Sequence, residues 1–217
     1  MSISDLAGKT IVLGSRSPRR RELLERLYPV ARIEIIPPDD PEELSFDGIH
    51  SLEGIQQQIQ RISRLKNENV VRQCKEQTYD YLLTADTVIV VEPTENHYLV
   101  LGQPPETDYA STTKFWFENY YLGKSHLAIS AICLRNKCQS LFEKLVFTTV
   151  EMNQSGSTWV DWYLQTDEPR GKAGGYAIQG LGSLFISQVT GSLSNVVGLP
   201  LLETQQLFDR ATDQTAG

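Results

Sequence analysis

The chain has 217 residues, 40% hydrophobic and 22% charged, and 20 Lys+Arg against 27 Asp+Glu give a net charge of −7. This composition excludes a disordered or fibrous chain and makes general binding to nucleic acid or anionic membrane unfavourable. The three cysteines (Cys74, Cys133, Cys138) have no CxxC spacing and the three histidines (His50, His97, His126) lie far apart, so neither a disulfide framework nor a zinc site is expected.

Strands and helices alternate along the chain. Thr10–Gly14 (TIVLG) is a short apolar run that predicts a buried strand. Ser17 then N-caps a helix from Pro18 to about Leu27, with proline at the first helical position, where a missing N–H costs nothing. Arg16, Arg19, Arg20, Arg21 and Arg26 crowd this window of an acidic chain. Arginines in a first helical turn meet the positive end of the helix dipole and are locally unfavourable. The same turn, with unpaired backbone N–H groups and guanidinium forks, suits an anion, and phosphate is the natural guest. A solvated basic patch is the plainer alternative. The glycine content is too low for a Walker loop.

Ile33–Ile36 predicts a short strand, and residues 37–48 an acidic, proline-rich loop with Asp39, Asp40, Glu42 and Glu43. A solvated face is the default reading of that loop, and a metal ligand the minority one. Ile55, Ile59, Ile62 and Leu65 recur at helical spacing and predict a helix over roughly Leu52–Cys74. Lys66 continues the same stripe, so its ammonium lies near the buried face, either as a functional cation or as a lysine snorkelling at the core's rim.

Leu82–Val91 (LLTADTVIVV) is continuous enough in apolar residues to be a central strand. Asp86 stands in its middle, where an unpaired carboxylate would cost several kcal/mol. It either caps a bend, bonds to backbone as a structural residue, holds a metal or activates water. Pro93–His97 turns the chain into a strand at Tyr98–Leu101, and a helix follows over about Thr107–Tyr121. His126–Leu134 and Leu141–Val150 flank a polar turn and predict a hairpin. Ser157–Leu164 predicts a helix capped by its serine, Asp167–Gly180 a glycine-rich loop, Ser183–Val189 a strand and Leu199–Arg210 a last helix. The polar tail, about residues 211–217, is expected to fray. Glycines in the stretch DEPRGKAGGYAIQGLG (167–182) let backbone approach a ligand closely, a weak signal by itself. The expected class is α/β, with helices covering the faces of one mixed sheet in a single domain over 1–217.

Several stretches also resemble a known family. GSRSPRRRELLERL, Lys66 on the second helix, Ala85-Asp86-Thr87, the run Glu168 to Gly180 (EPRGKAGGYAIQG) and the run Gly191 to Leu201 (GSLSNVVGLPL) stand in family order. They are similar to the motifs of the Maf family of nucleoside triphosphate pyrophosphatases, over nearly the whole chain. The resemblance implies a mixed twisted sheet flanked by helices, two lobes with a cleft, and in many members a homodimer. It implies hydrolysis of a nucleoside triphosphate to the monophosphate and pyrophosphate with a divalent cation, Mg²⁺ or Mn²⁺. In that reading Ser15, Arg19 and Arg20 hold phosphates, with Gln103, Lys172 and Gln179 also on the substrate. Asp86 activates water and holds the metal, Lys66 neutralises charge on the α-phosphate, and Glu42 matches an early acidic residue that also holds the metal. SPRR together with KAGGYAIQG looks like the branch acting on dTTP and UTP rather than on 7-methyl-GTP. Removal of surplus or non-ordinary nucleotides and an association with septum formation come with the resemblance. The chemistry suits the residues, because the transition state at phosphorus spreads charge over oxygens that arginine, lysine and a cation stabilise.

One departure matters. The family has Gly-Lys-Pro where this chain has Gly102-Gln103-Pro104, and glutamine donates hydrogen bonds without charge. The alternative it raises is a catalytically weakened nucleotide-binding or regulatory protein of the same fold. Lys114 and Lys124 are candidates to restore the charge. A nucleic-acid binder built on Arg16–Arg26 is disfavoured by the overall acidity. The N-terminal MSISDLAGKT lacks the basic flank and apolar run of a signal peptide, and no stretch approaches ~18 apolar residues. A cytoplasmic location without membrane or nucleic-acid partner is expected.

Overall fold

Strand Thr10–Leu13 (β1), buried as the first apolar run leads one to expect, pairs in parallel with both Arg32–Ile35 (β2) and Tyr81–Thr94 (β3). The computed structural model describes residues 6–39, 44–74 and 79–213. Strand β3 turns at Asn96, which takes positive φ, into His97–Leu101 (β4), its antiparallel neighbour. Ser125–Asn136 (β5) and Leu141–Met152 (β6) form the expected hairpin, and Ile186–Gly191 (β7) closes the far edge. The seven strands make one mixed sheet in the order β2-β1-β3-β5-β6-β7, with β4 beside β3.

Helices cover both faces, as expected. Pro18–Leu27 (α1) starts on the Ser17 cap, whose hydroxyl accepts from Arg20 N. Leu52–Gln73 (α2) starts on Ser51, and it buries Ile55, Ile59, Ile62 and Val70. The side chains of β3 alternate with period two. Tyr81, Leu83 and Ala85 join Leu24 of α1 and Leu207 and Phe208 of the C-terminal helix Leu201–Asp213. Ile89 and Val91, further along the same face, pack with Phe117, Tyr121 and Phe185. On the other face Val88 and Val90 pack beneath Ile55 and Ile59 of α2. Each such aliphatic burial contributes about 1.5–3 kcal/mol.

The pairing leaves a gap. Strand β5 covers one edge of β3 from Tyr81 to Val90. On the other edge β1 ends at the pair Leu13–Leu83, and β4 begins only at Ile89–Leu101. Thr84–Val88 therefore have no ladder partner on that edge among the described residues. Backbone groups without partners need another acceptor or donor, and this is where the molecule opens.

Some boundaries differ from expectation. The helix at residues 107–121 is α-helical only over Tyr109–Trp116 (α3) and finishes as a π-helical turn, Phe117–Tyr121. Ser157 is not a cap. Asn153 Oδ1 accepts from Gly156 N at 2.7 Å and starts a 3-10 turn, Gln154–Trp159, so the α-helix Val160–Leu164 (α4) begins later. Strand β7 starts at Ile186 because Leu181–Phe185 forms another 3-10 turn. A short helix, Leu193–Val197 (α5), was not expected; Ser192 caps it and Gly198, at φ +127°, ends it. The last helix (α6) runs to Asp213, past the expected end at Arg210. Ala211 is fully buried, and Thr212 Oγ1 donates to Phe208 O at 2.8 Å and lies 3.0 Å from the Tyr81 hydroxyl. Residues 214–217 of the expected tail lie outside the described residues.

Candidate active site

The gap in the sheet opens into a crevice of about 930 Å³. Its floor is Ala85–Ile89 of β3, and its walls come from the β1–α1 turn, α2, the exit of β4, residues 171–176 and the end of α5. A crevice where neighbouring strands diverge beyond the end of a parallel strand is a standard ligand position in α/β sheets.

Gly14 lets β1 leave the sheet there. A Cβ at Gly14 would lie 2.6 Å from Thr84 Cγ2 and 2.9 Å from Val70 Cγ2, so only glycine fits between β3 and α2. The next residue, Ser15, is buried and its hydroxyl accepts from Ser17 N at 3.2 Å and from Arg20 Nη1 at 3.3 Å. Arg20 also donates from Nε to Gly198 O at 2.8 Å and from Nη2 to Thr87 Oγ1 at 3.2 Å. Arg19 lines the crevice half-buried, and burial lowers its pKa from the usual guanidinium value. No hydrogen bond or ion pair engages its side chain among the described residues. The five-arginine cluster of the sequence divides here. Arg21 and Arg26 turn to solvent and pair with Glu25 at 2.7 Å and Glu22 at 2.6 Å, while Arg16 donates to Pro38 O at 3.1 Å.

Across β3, on the opposite face, Lys66 Nζ donates to Asp86 Oδ1 at 2.7 Å. The two side chains are only 15% and 13% exposed. The α2 stripe thus delivers a lysine to a strand carboxylate that needs a cation, because a carboxylate shielded from water is costly unless paired. Strand alternation sends Thr87 the other way, toward Arg20. The crevice therefore wraps the free edge of β3, with the Lys66–Asp86 pair on one side and Arg20 on the other.

The remaining wall is built from glycine-rich chain. Gln103 is exposed and Lys172 half-buried, both line the crevice, and neither side chain is hydrogen-bonded among the described residues. Their segments are tied together by Gly174 N donating to Gly102 O at 2.9 Å. Gln179, expected at the cleft, is exposed and is not among the lining residues. Lys114 and Lys124 do not reach the crevice either. Lys114 pairs with Asp161 at 2.6 Å, and Lys124 donates to Asn119 O. Glu42 lies outside the described residues.

Other residues carry signals the sequence hid. Glu168 clamps its loop, accepting from Gly182 N at 2.8 Å, Leu181 N at 2.9 Å and the Tyr163 hydroxyl at 3.0 Å. Arg170 is spent on the surface, against Glu106 and Asp167. Behind the wall, His126 Nε2 lies 2.8 Å from the hydroxyl of Tyr176, and Tyr121 OH donates to Gly174 O at 2.7 Å. Burial pushes the His126 pKa down to about 3, so the imidazole is neutral. Leu44, Phe46, Val88 and Val100 give the crevice an apolar side. Thr87 carries no chemical signal of its own in the sequence, yet alternation alone places it on the face opposite Asp86.

A family model described as Maf-like protein matches residues 10–211. The chain belongs to the Maf family. Its Maf relatives include a dTTP/UTP pyrophosphatase of Anaeromyxobacter dehalogenans (strain 2CP-1), 37% identical over 204 residues, 93% of each chain. Another protein of that name, from Carboxydothermus hydrogenoformans, is 35% identical over 88% of this chain and 92% of its own. A third, from Acinetobacter baylyi, is 31% identical over 91% and 97%. The Maf match spans all the crevice-lining elements, from β1 to α5.

Proposed function

We propose that this chain hydrolyses dTTP and UTP to the nucleoside monophosphate and pyrophosphate. The observation that carries the reading is the crevice itself, where an acid–lysine pair and an arginine-bearing helix N-terminus meet across five strand residues that lack a ladder partner on one edge among the described residues. The names of the Maf relatives supply the pyrimidine substrates. Arg19, Arg20 and the first turn of α1 bind the triphosphate, since backbone N–H groups, the helix dipole and guanidinium forks all favour phosphate oxygens. Leu44, Phe46, Val88 and Val100 receive the base and sugar.

Asp86 is the only carboxylate among the described lining residues. It orients a water against the α-phosphorus and takes a proton from it as the new P–O bond forms. The bond from the α-phosphorus to the bridging oxygen breaks, and pyrophosphate leaves with the electron pair. Lys66, 2.7 Å from Asp86, orients the carboxylate and stands ready for charge that develops on the α-phosphate oxygens. Lys172 supplies a cation on the wall where Gln103 supplies none.

The donor set fits a hard divalent cation such as Mg²⁺ or Mn²⁺. Asp86 would hold it with substrate phosphates as the other ligands, and no imidazole or thiolate is among the described lining residues. No three His, Cys, Asp or Glu side chains converge among the described residues, so those residues alone offer no closed cage. Glu42 stays a candidate second ligand on the resemblance. When bound, the cation neutralises phosphate charge. No helix among the described residues is long and apolar enough to cross a membrane, and the proposal includes a cytoplasmic location.

Asp86→Asn tests the assignment, because it keeps the shape and removes the charge. Pyrophosphate release from UTP should fall at least ~10³-fold while UTP affinity stays within a few-fold. Unchanged turnover would remove Asp86 from the chemistry.

A further inference from the structure

We propose that Ser130 of β5 is a positioning residue for Arg20, acting through the hydroxyl of Thr87. The inference rests on reading the crevice as a triphosphate site, and it assigns a role to a side chain that never touches the substrate.

Thr87 and Ser130 are register partners on adjacent strands, and their hydroxyl oxygens are 2.7 Å apart. Ser130 is fully buried between Ile129 and Ala131. A hydroxyl in such a place loses its hydration, so it persists only with a partner. Among the described residues the Thr87 hydroxyl is the one group that hydrogen-bonds it. Thr87 Oγ1 in turn accepts from Arg20 Nη2 at 3.2 Å and lies 3.5 Å from Gly198 O, which accepts Arg20 Nε at 2.8 Å.

One assignment of protons satisfies the cluster. Ser130 donates to Thr87 Oγ1, Thr87 donates to Gly198 O, and both acceptors face the guanidinium. Ser130 then fills the acceptor's second lone pair and directs the Thr87 proton away from Arg20. Reversal of the Thr87 hydroxyl toward Ser130 would leave the Gly198 carbonyl to Arg20 alone. The chain from β5 through β3 to the end of α5 therefore fixes the plane of the guanidinium, a group whose catalytic worth depends on aim as much as charge. It also explains why a hydroxyl replaces an aliphatic side chain in the middle of β5.

A double-mutant cycle tests this. Ser130→Ala should lower kcat/KM for UTP about tenfold, mostly in kcat. Thr87→Val should do the same, and Thr87→Ser should retain activity. In an Arg20→Ala background Ser130→Ala should add less than about twofold. A full, additive loss in that background, or no loss in the wild-type background, overturns the proposal. The free protein gives a readout that needs no substrate. Proton exchange at Arg20 Nε, followed by NMR, should speed up in Ser130→Ala and stay slow in Thr87→Ser. Unchanged exchange in Ser130→Ala overturns the positioning role even if UTP is hydrolysed. Faster exchange in a protein that hydrolyses no triphosphate upholds the positioning and rejects the catalytic reading instead.

Discussion

Asp86 announces itself because it breaks a rule: a carboxylate inside LLTADTVIVV must have a reason. The structure supplies Lys66 at 2.7 Å, and the helical stripe already pointed that lysine inward. Removing one partner of a shielded pair leaves an uncompensated charge. Lys66→Met should therefore destabilise the fold by about 3 kcal/mol in urea unfolding, and should also reduce turnover by ~10²-fold. A fall in turnover without any change in stability would mean that the pair is not needed to shelter Asp86. Lys172 makes a milder prediction. With Gln103 neutral beside it, Lys172→Met should raise KM for UTP about tenfold, and an unchanged KM would place the phosphates elsewhere. Arg20 was legible as a cation near phosphate but not in its geometry. Partners from residues 15, 87 and 198 are brought to it only by the folded chain.

Elements with local signals were the readable ones. Ser17 and Pro18 start α1 where the sequence says, and Ile55, Ile59 and Ile62 set the buried face of α2, while Leu65 turns to solvent and Ser63, Asn67 and Asn69 take buried places further along. Elements whose ends depend on distant contacts were not. Asn153 captures the chain before Ser157 can cap it, because Asn153 also donates to Leu184 O and Phe185 O across the loop. Asn153→Ala should cost about 1–2 kcal/mol through both the cap and the loop bonds, measured by thermal unfolding. A loss of only a few tenths would reduce Asn153 to a solvated cap. The extension of α6 past Arg210 likewise rests on burial of Ala211 and on the contact of Thr212 with Tyr81, which a polar tail sequence does not reveal.

At the scale of the molecule, the mixed α/β class could be read from alternating strand and helix patterns. The crevice could not, because it depends on β1 and β4 sharing one edge of β3 while leaving Thr84–Val88 between them. The protein's response to acid is also a whole-molecule property. His126 has a folded pKa of about 3 against an ordinary value of 6.5. The unfolded chain therefore binds this proton first as pH falls. The stabilisation is complete above about pH 6.5 and is lost between there and pH 3, at ~1.4 kcal/mol per unit. Urea midpoints should fall over that window in the wild type, and His126→Gln should flatten the difference; parallel curves would show that His126 does not titrate on unfolding. The central claim is tested most directly by product analysis with Mg²⁺ or Mn²⁺ and a panel of dTTP, UTP, CTP and 7-methyl-GTP. Release of pyrophosphate, without orthophosphate, from dTTP and UTP is the predicted result. Orthophosphate as the product, or turnover of none of the four by folded protein, would contradict it.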